Sequence, residues 1–247
     1  MPARAWATGP EVTTSAPRLL LAGGTGLVGG AVLRERLADR GWNGKILAPL
    51  RRAPALADPR LVPVVGPLTE AKADERVAAE VRERLAGERL DAYVSCLGTT
   101  LDVAGSREAF IAVDRELVLR LAKLAYELGA RRAILVSSVG ASRQSGNFYL
   151  RIKGEVEDAI GDLGFQCLDI LQPGLLLGER GEVRRGEAIA QTLAPIYNPL
   201  LRGSKLRRYR AIPALTVAQA IVRLTEATAP GQFVHQHDAI VALADGA

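Results

Sequence analysis

The stretch from residue 19 to residue 30 reads Leu19-Leu20-Leu21-Ala22-Gly23-Gly24-Thr25-Gly26-Leu27-Val28-Gly29-Gly30. An apolar run ends in glycines with the spacing Gly23-x-x-Gly26-x-x-Gly29, and a helix-compatible segment follows directly. A strand, turn and helix in this order leave backbone N–H groups at the positive end of the helix, where a pyrophosphate can bind. Glycine is needed where the backbone bends unusually, approaches a ligand or lets helix and strand touch. We therefore expect a dinucleotide-binding turn, although glycine-rich turns also close purely structural loops. The residues assigned to it are Gly23, Thr25, Gly26, Leu27, Val28 and Gly29.

Short apolar runs alternate with amphipathic segments along the rest of the chain. Strands are expected at residues 19–23, 45–50, 61–66, 92–97, 132–136 and 166–171. Helices are expected at about 27–40, 71–85, 107–128 and 149–163, the third ending at Gly129 as a left-handed cap. Nearly continuous apolar strands are typical of a sheet covered on both faces, and strand–helix alternation requires right-handed crossovers. The pattern predicts an α/β fold with a doubly wound parallel sheet of the Rossmann type.

The length of 247 residues and the apolar content of 48% suit one such domain with a sizeable core. Residues 1–16, rich in Pro, Ala, Gly and Thr, are expected to form a flexible leader, and residues 17–247 a single nucleotide-binding domain. After Pro173 the alternation loosens until a further helix at about 216–228. We expect residues 175–247 to form a small substrate-capping region over the C-terminal edge of the sheet, where ligands bind in this fold class.

The composition argues against several classes of partner. The net charge of +5 is spread out, and its densest cluster, residues 202–210, is expected to be solvated surface. The sequence carries no nucleic-acid-binding motif, so no nucleic-acid partner is expected. No apolar run reaches membrane-spanning length and residues 1–16 lack the apolar block of a signal peptide, so we expect no membrane partner and a cytoplasmic location.

Cysteine and histidine usage favours neither a metal site nor a redox site. Cys96 and Cys167 lie in apolar runs without CxxC spacing, and we expect them to be small buried hydrophobes in a reducing compartment. His235 and His237 alternate on what is expected to be a last strand. Two histidines without a third ligand are typical of surface or hydrogen-bonded core positions, so no metal is predicted.

Two arginines bear on the choice of cofactor. In an NAD site an acidic residue about 20 positions beyond the glycines holds the ribose 2′-hydroxyl. Here the second expected strand is followed by Arg51 and Arg52, and the first acidic residue beyond them is Asp58. A guanidinium can bind a 2′-phosphate through paired hydrogen bonds, which favours NADP(H). The alternative is that both arginines only solubilise a loop.

A candidate catalytic set follows the fifth expected strand. Ser138 lies where that strand ends, and Tyr149 and Lys153 come soon after it. Residues four apart on one helix share a face, so an ammonium can lie near the phenol. A free phenol, with a pKa of about 10, is a poor base at neutral pH, and a neighbouring cation favours the phenolate. A Tyr-x-x-x-Lys pair also arises by chance as a packed phenol beside a solvated amine. Its place after a Ser-Ser strand end favours a Ser–Tyr–Lys site.

With these residues in place, the chain resembles the short-chain dehydrogenase/reductases of the extended or atypical kind. More narrowly, it resembles the branch containing the HIV Tat-interacting-protein oxidoreductases. The matching segments are Ser95-Cys96-Leu97-Gly98-Thr99-Thr100, Val113-Asp114-Arg115, Ser137-Ser138-x-Gly140-Ala141, Asn147-Phe148-Tyr149-Leu150-x-x-Lys153-Gly154-Glu155-Val156-Glu157, Pro173-Gly174-x-Leu176-Leu177 and Ile212-Pro213. The likeness covers nearly the whole chain from Arg18 onward.

The resemblance implies an NADP(H)-binding Rossmann domain whose catalytic positions are Ser138, Tyr149 and Lys153. It implies that Gly98, with its neighbours Leu97 and Thr99, borders the adenosine half of the cofactor. By the same resemblance, Pro173 and Gly174 pass beside the nicotinamide.

The chain departs from the family pattern at three places. Family members often carry an acidic residue after the third strand to hold the adenine amine, and this chain has Gly66-Pro67-Leu68 there. The arginine that often precedes the late Pro-Gly is Gln172. The asparagine of many extended members is Asp114, so no proton relay is assigned to that position. We expect Asp102, Asp114 and Glu155 to be capping or surface charges.

The function expected from the sequence is an NADP(H)-dependent oxidoreductase that acts on a small carbonyl or alcohol. One alternative is a non-catalytic, NADP(H)-sensing module that binds a protein partner, although retention of the Ser–Tyr–Lys set argues against it. Another is a sugar-nucleotide epimerase or dehydratase, for which the part after Pro173 is short. The expected helix at 107–128 is long enough to pair across a two-fold axis, so a homodimer is a further expectation.

Overall fold

The computed structural model describes residues 16–70, 72–178 and 206–246. Of the expected leader only Ala16 falls within these ranges, and residues 179–205 of the expected capping region lie outside them. Among the described residues, no helix has the length and apolarity needed to cross a bilayer.

Seven parallel strands form the main sheet, and this confirms the expected doubly wound α/β fold. They are β1 (Arg18–Ala22), β2 (Lys45–Leu50), β3 (Leu61–Val65), β4 (Ala92–Ser95), β5 (Arg132–Val136), β6 (Cys167–Leu171) and β9 (Gly231–His235). Their order across the sheet is β3-β2-β1-β4-β5-β6-β9. The direction of winding reverses between β1 and β4, whose residues Ala22 and Ser95 are register partners. The carboxyl ends of these two strands therefore flank the crevice where ligands bind in open α/β sheets.

Helices cover both faces of the sheet because each presents an apolar side to it. The helices are α1 (Leu27–Ala38), α2 (Ala73–Leu85), α3 (Leu101–Ala104), α4 (Arg107–Ile111), α5 (Val118–Glu127), α6 (Phe148–Gly161), α7 (Ala214–Leu224) and α8 (His237–Asp245). One core lies beneath α1, α7 and α8, and includes Val32, Val217 and Ile240. The other lies beneath α2, α5 and α6, and includes Val77 and Leu121.

The expected helix at residues 107–128 is interrupted. Between α4 and α5 the backbone forms a π-helical turn, Ala112–Leu117, in which Asp114 and Leu117 are buried. π-turns inside helices often occur at functional sites, because they redirect side chains. The C-terminal end follows the expectation, since Gly129 has φ +94°.

The C-terminal part differs from the expectation in the bounds of α7, which was expected at about 216–228, and in the position of His237. β9 pairs with β6, but His237 begins α8 and does not alternate with His235 on a strand. Two short strands, β7 (Leu176–Leu177) and β8 (Ile212–Pro213), pair with each other. This pairing connects the segment after Gly174 with the residues before α7. A single 3₁₀ turn, Arg207–Tyr209, precedes β8.

Both histidines have carboxylate neighbours. His235 Nε2 lies 2.9 Å from an oxygen of Asp169, and His237 Nδ1 lies 2.8 Å from an oxygen of Asp238. Within the described ranges, no group of three or more His, Cys, Asp or Glu residues could hold a metal ion. Cys167 is buried as expected. Cys96, which directly follows β4, is only partly buried, in contrast to the expectation.

Candidate functional site

The glycine-rich turn has the close contacts that glycine permits. Gly23 has φ +81°, and a Cβ at this position would lie 2.6 Å from the carbonyl carbon and oxygen of Cys96. A Cβ on Gly29 would lie 2.2 Å from the carbonyl oxygen of Gly23. Side chains at these two positions are therefore incompatible with the turn. Because both residues are glycines, the backbones of β1, α1 and the end of β4 can approach one another closely.

The N-terminus of α1 is suited to an anion. The N-cap residue is Gly26, which provides no side-chain cap, and the first turn holds no acidic residue. The backbone N–H groups of a first helical turn have no partner within the helix, and the helix dipole favours negative charge there. Thr25 and Gly26 are exposed, whereas the side chain of Val28 is buried in the core. These features fit the pyrophosphate of a dinucleotide.

Arg51 and Arg52 lie at the opposite end of the candidate site from Lys153. They follow β2, are exposed, and are three strands away from β5 in the order of the sheet. The structure therefore does not bring them together with the Ser–Tyr–Lys set. This separation is compatible with the two ends of an extended dinucleotide lying across the carboxyl edge of the sheet.

Lys153 lies at the centre of the other half of the site. Its ammonium is 2.8 Å from one carboxylate oxygen of Asp114, and both side chains are buried. The second oxygen of Asp114 accepts a hydrogen bond of 2.8 Å from the backbone N–H of Thr99. A Cβ on Gly98 would lie 3.9 Å from both Lys153 Nζ and Asp114 Oδ1. The predicted cofactor loop and the predicted catalytic lysine therefore meet at Asp114.

The electrostatics around Lys153 preserve its charge. Burial of the ammonium opposes the charged form, but the Asp114 carboxylate, with smaller contributions from Tyr149 and Glu157, outweighs it and raises the pKa of Lys153. Lys153 Nζ lies 5.9 Å from the centroid of the Tyr149 ring. The Tyr149 ring also packs edge-on against Phe110, with centroids 5.8 Å apart. The two predicted catalytic side chains on α6 are therefore neighbours.

Ser138 is fixed by the loop that follows β5. Its carbonyl accepts from the N–H of Ala141 at 3.1 Å, and the loop packs on α6 so closely that a Cβ on Gly154 would lie 2.3 Å from the backbone of Ser142. The N–H of Val139 donates to the carbonyl of Pro173 at 3.0 Å. Ser138 and Pro173 thus lie at adjoining strand ends, on the side of the sheet edge where α6 begins.

Gly174 lies where two segments of backbone meet. A Cβ there would come within 2.5 Å of the carbonyl oxygen of Arg210 and 2.8 Å of that of Tyr209. The segment at 206–210 therefore packs against the residues predicted to pass beside the nicotinamide. Arg207, in the same segment, pairs with Asp238 at 3.0 Å.

A polar network beneath Ser138 was not predicted from the sequence. The Ser137 hydroxyl donates to Glu157, and the Gln172 amide donates to both oxygens of Glu157 at 3.0 and 3.1 Å. Gln236 in turn donates to Gln172 at 3.1 Å. These contacts join the ends of β5, β6 and β9 to α6. The helical spacing was a usable signal, because Glu157 follows Lys153 by one turn on the same face.

The expectation for Asp114 was wrong, because its side chain is fully buried and is neither a cap nor a surface charge. The signal was its position one turn after Phe110 and one turn before Leu117, which places it on the apolar face of the helix. Glu155 follows the expectation, as it pairs with Arg115 at 3.3 Å on the surface. Asp102 is exposed in the first turn of α3.

Comparisons with known proteins agree with this architecture. The family described as "NAD dependent epimerase/dehydratase family" matches residues 19–147. "Protein FMP52, mitochondrial" from Lodderomyces elongisporus is 40% identical over 171 residues, which cover 66% of this chain and 68% of that protein. "Protein HTATIP2" from Rattus norvegicus is 38% identical over 143 residues, or 58% of this chain, and the match spans only 57% of the rat protein.

Among solved structures, the enzyme WbmH from Bordetella bronchiseptica in complex with NAD⁺ is similar to this chain. The TM-score is 0.61 at 16% sequence identity, with 93% of this chain and 79% of that chain covered. At this identity the likeness shows the fold alone.

The cytoplasmic location expected from the sequence is contradicted by the relatives. Besides the Lodderomyces protein, those from Emericella nidulans and Candida albicans carry the same name, with mitochondrial in it. The expectation rested on features that were missing from the sequence, and such features do not distinguish a cytoplasmic protein from a mitochondrial one. With a family match over half of the sequence and a Rossmann-like sheet, the chain belongs to the NAD dependent epimerase/dehydratase family, whose fold is that of the short-chain dehydrogenases.

Proposed function

We propose that this chain is an NADP(H)-dependent oxidoreductase of the short-chain dehydrogenase type, which reduces a small carbonyl compound or oxidises the corresponding alcohol. The observation that carries the proposal is the buried ammonium of Lys153, 5.9 Å from the Tyr149 ring centroid and beside Gly98. A buried cation next to a phenol on one helix face is an arrangement suited to acid–base chemistry.

Each of the three residues has a distinct role in this proposal. Tyr149 protonates the carbonyl oxygen during reduction and removes the proton during oxidation. Ser138 donates a hydrogen bond to the same oxygen and orients it. Lys153 holds the nicotinamide ribose and places a positive charge beside Tyr149. When bound, NADPH supplies the hydride.

The choice of NADP(H) rests on the exposed guanidinium groups of Arg51 and Arg52 at the end of β2. The neighbouring segment Gly66-Pro67-Leu68 carries no acidic side chain. Two arginines after β2, with no acidic residue in the sequence until Asp58, favour a 2′-phosphate over a 2′-hydroxyl.

The test is turnover of NADPH with a panel of small aldehydes and ketones, together with the Tyr149→Phe variant. We expect this variant to lose at least about 100-fold in kcat, as is typical when a general acid is removed, while its Kd for NADPH stays within about twofold of wild type. Tyr126→Phe is the matched control, because Tyr126 lies on α5, packs on Phe165 and has no role in the proposal. Unchanged turnover in Tyr149→Phe, or no NADPH oxidation by wild type across the panel, would contradict the proposal.

A sugar-nucleotide epimerase or dehydratase is the second candidate, and the family match over residues 19–147 favours it. It requires binding of a nucleoside diphosphate sugar beside the cofactor. Calorimetry with UDP and UDP-sugars separates the two candidates. Binding at micromolar Kd together with conversion of the sugar would select the second one.

A further inference from the structure

Asp114 uses both oxygens of its carboxylate on two different parts of the site. One oxygen holds the Lys153 ammonium at 2.8 Å, and the other accepts from the Thr99 N–H at 2.8 Å. The residue lies in the π-helical turn between α4 and α5, and its side chain is fully buried. The carboxylate therefore joins three elements: the loop after β4, the π-turn and α6.

The charges around Lys153 identify Asp114 as its counter-ion. On α6 itself the titratable neighbours are Tyr149 and Glu157, and the Glu157 carboxylate is already bound by Ser137 and Gln172. The loop after β4 brings Gly98, which has no side chain, and Cys96 lies further back beside Gly23.

Other charges near the pair are engaged elsewhere. Arg107 and Arg151 stack on Phe148, with 5.0 and 5.7 Å from guanidinium carbon to ring centroid. Arg115 and Glu155 pair with each other at the surface. Among the described residues, the carboxylate in contact with the Lys153 ammonium is therefore that of Asp114.

Resting on the proposed function, we propose that Asp114 is a positioning residue with two separable effects. Its oxygen atoms hold the Thr99 end of the cofactor loop against Lys153 before any cofactor binds. Its negative charge stabilises the buried Lys153 ammonium, which extends carbonyl reduction to higher pH.

The direction of the charge effect follows from electrostatics. Reduction needs Lys153 as an ammonium, so activity falls when that group loses its proton. Removing the Asp114 carboxylate charge, which lies 2.8 Å from the ammonium, makes it easier for Lys153 to lose its proton.

Two variants separate the effects. Asp114→Asn loses the charge but keeps one oxygen, which accepts from the Thr99 N–H when the amide NH2 group faces Lys153. Asp114→Ala loses both the charge and the acceptor. We expect the alkaline limb of kcat/KM for NADPH-dependent reduction to move to lower pH by about one unit or more in both variants. We expect the Kd for NADPH to rise by about tenfold in Asp114→Ala and to stay within about threefold in Asp114→Asn. Asp102→Asn, a change on exposed α3, is the control and leaves both quantities as in wild type.

A second measurement needs no turnover. In ¹⁵N-resolved NMR spectra of the cofactor-free protein, the Thr99 amide proton should be shifted downfield and exchange slowly in wild type. It should largely keep this position in Asp114→Asn and lose it in Asp114→Ala. Thermal melts of all variants establish that each is folded, and the conservative Asp114→Asn change serves alone if Asp114→Ala does not fold.

The outcomes are distinguishable. If the alkaline limb of kcat/KM in Asp114→Asn is the same as in wild type, the charge effect is wrong. If the chemical shift and exchange rate of the Thr99 amide proton do not change in Asp114→Ala, the anchoring effect is wrong. If wild type reduces no carbonyl compound, the proposed function and the charge effect both fail. In that case a response of Thr99 and of NADPH binding would support the anchoring effect on its own.

Discussion

The carbonyl oxygen of Gly23 lies only 2.2 Å from the position that a Cβ on Gly29 would occupy. This contact fixes how closely the first turn of α1 approaches the end of β1. Gly30, the next residue, differs: its Cβ would have ordinary contacts of 3.6 Å with an Arg34 nitrogen and the Gly24 carbonyl oxygen. The two neighbouring glycines therefore provide a matched pair.

Gly29→Ala should abolish NADPH binding, because the methyl group forces β1 and α1 apart and displaces the N–H groups at the start of the helix. Gly30→Ala should bind NADPH as wild type does. It should also gain about 0.5–1 kcal/mol in free energy of unfolding, since alanine loses less backbone entropy than glycine in a helix. Cofactor titration by fluorescence and urea unfolding measure both effects. Equal behaviour of the two variants would refute this account of the turn.

Arg51→Ala should weaken NADPH binding by about 10-fold or more, because a charge-assisted hydrogen bond contributes about 1.5–3 kcal/mol. Binding of NADH should change by less than about twofold, since NADH lacks the 2′-phosphate. Lys123→Ala, which removes the same charge from the exposed side of α5, is the control. Parallel loss of both cofactors in Arg51→Ala would show that Arg51 does not recognise the 2′-phosphate.

A second buried ion pair supports the sheet away from the glycine turn. Asp169 in β6 pairs with Arg132 in β5, accepts from His235 in β9 and lies 3.3 Å from Cys167 Sγ. Burial favours the neutral acid, but His235 and the Arg132 guanidinium outweigh it and hold the pKa of Asp169 below its ordinary value of 3.8. The stability that this carboxylate contributes is present above that value and is lost as the pH falls through the lowered pKa.

Asp169→Asn should lower the free energy of unfolding at pH 7 by about 3–5 kcal/mol, because it leaves the Arg132 charge buried without its partner. The double variant Arg132→Met/Asp169→Leu should lose less, since neither charge remains. Urea unfolding measures both, with the exposed Asp162→Asn as control. If Asp169→Asn is as stable as the double variant or more stable, this explanation is wrong.

The contribution of Glu157 to the free energy of unfolding should depend on pH in the direction opposite to that of Asp169. Burial raises its pKa above the ordinary value of 4.5, although hydrogen bonds from Ser137 and Gln172 act against the rise. The folded protein therefore holds this proton more tightly than the unfolded chain, and stability falls as the pH rises from 4.5 through the raised pKa.

Glu157→Gln removes that ionisation, so the stability of the variant relative to wild type should increase with pH across this range and then level off. The comparison of unfolding free energies is made at several pH values, with the exposed Glu116→Gln as control. A difference that does not vary with pH would rule out a raised pKa at Glu157.

The sequence by itself determined the features that depend on neighbours along the chain. The bounds expected for β2 and β5 are those observed, because a short apolar run bounded by polar residues permits few alternatives. The glycine spacing predicted the turn after β1, because each glycine there meets backbone within a few residues or at the adjacent strand end. Tyr149 and Lys153 were predicted to share a face because helix geometry alone relates positions four apart.

Only the tertiary structure decided what meets those residues. The burial of Asp114 depends on α6 packing against the π-turn, and that contact joins residues far apart in the chain. The network from Ser137 through Glu157 to Gln172 depends on which strand ends adjoin. Local periodicity indicates which side of a helix is apolar, but it does not identify the groups on the opposing element. Packing therefore decides which groups contact each buried polar side chain, and those contacts influence its charge.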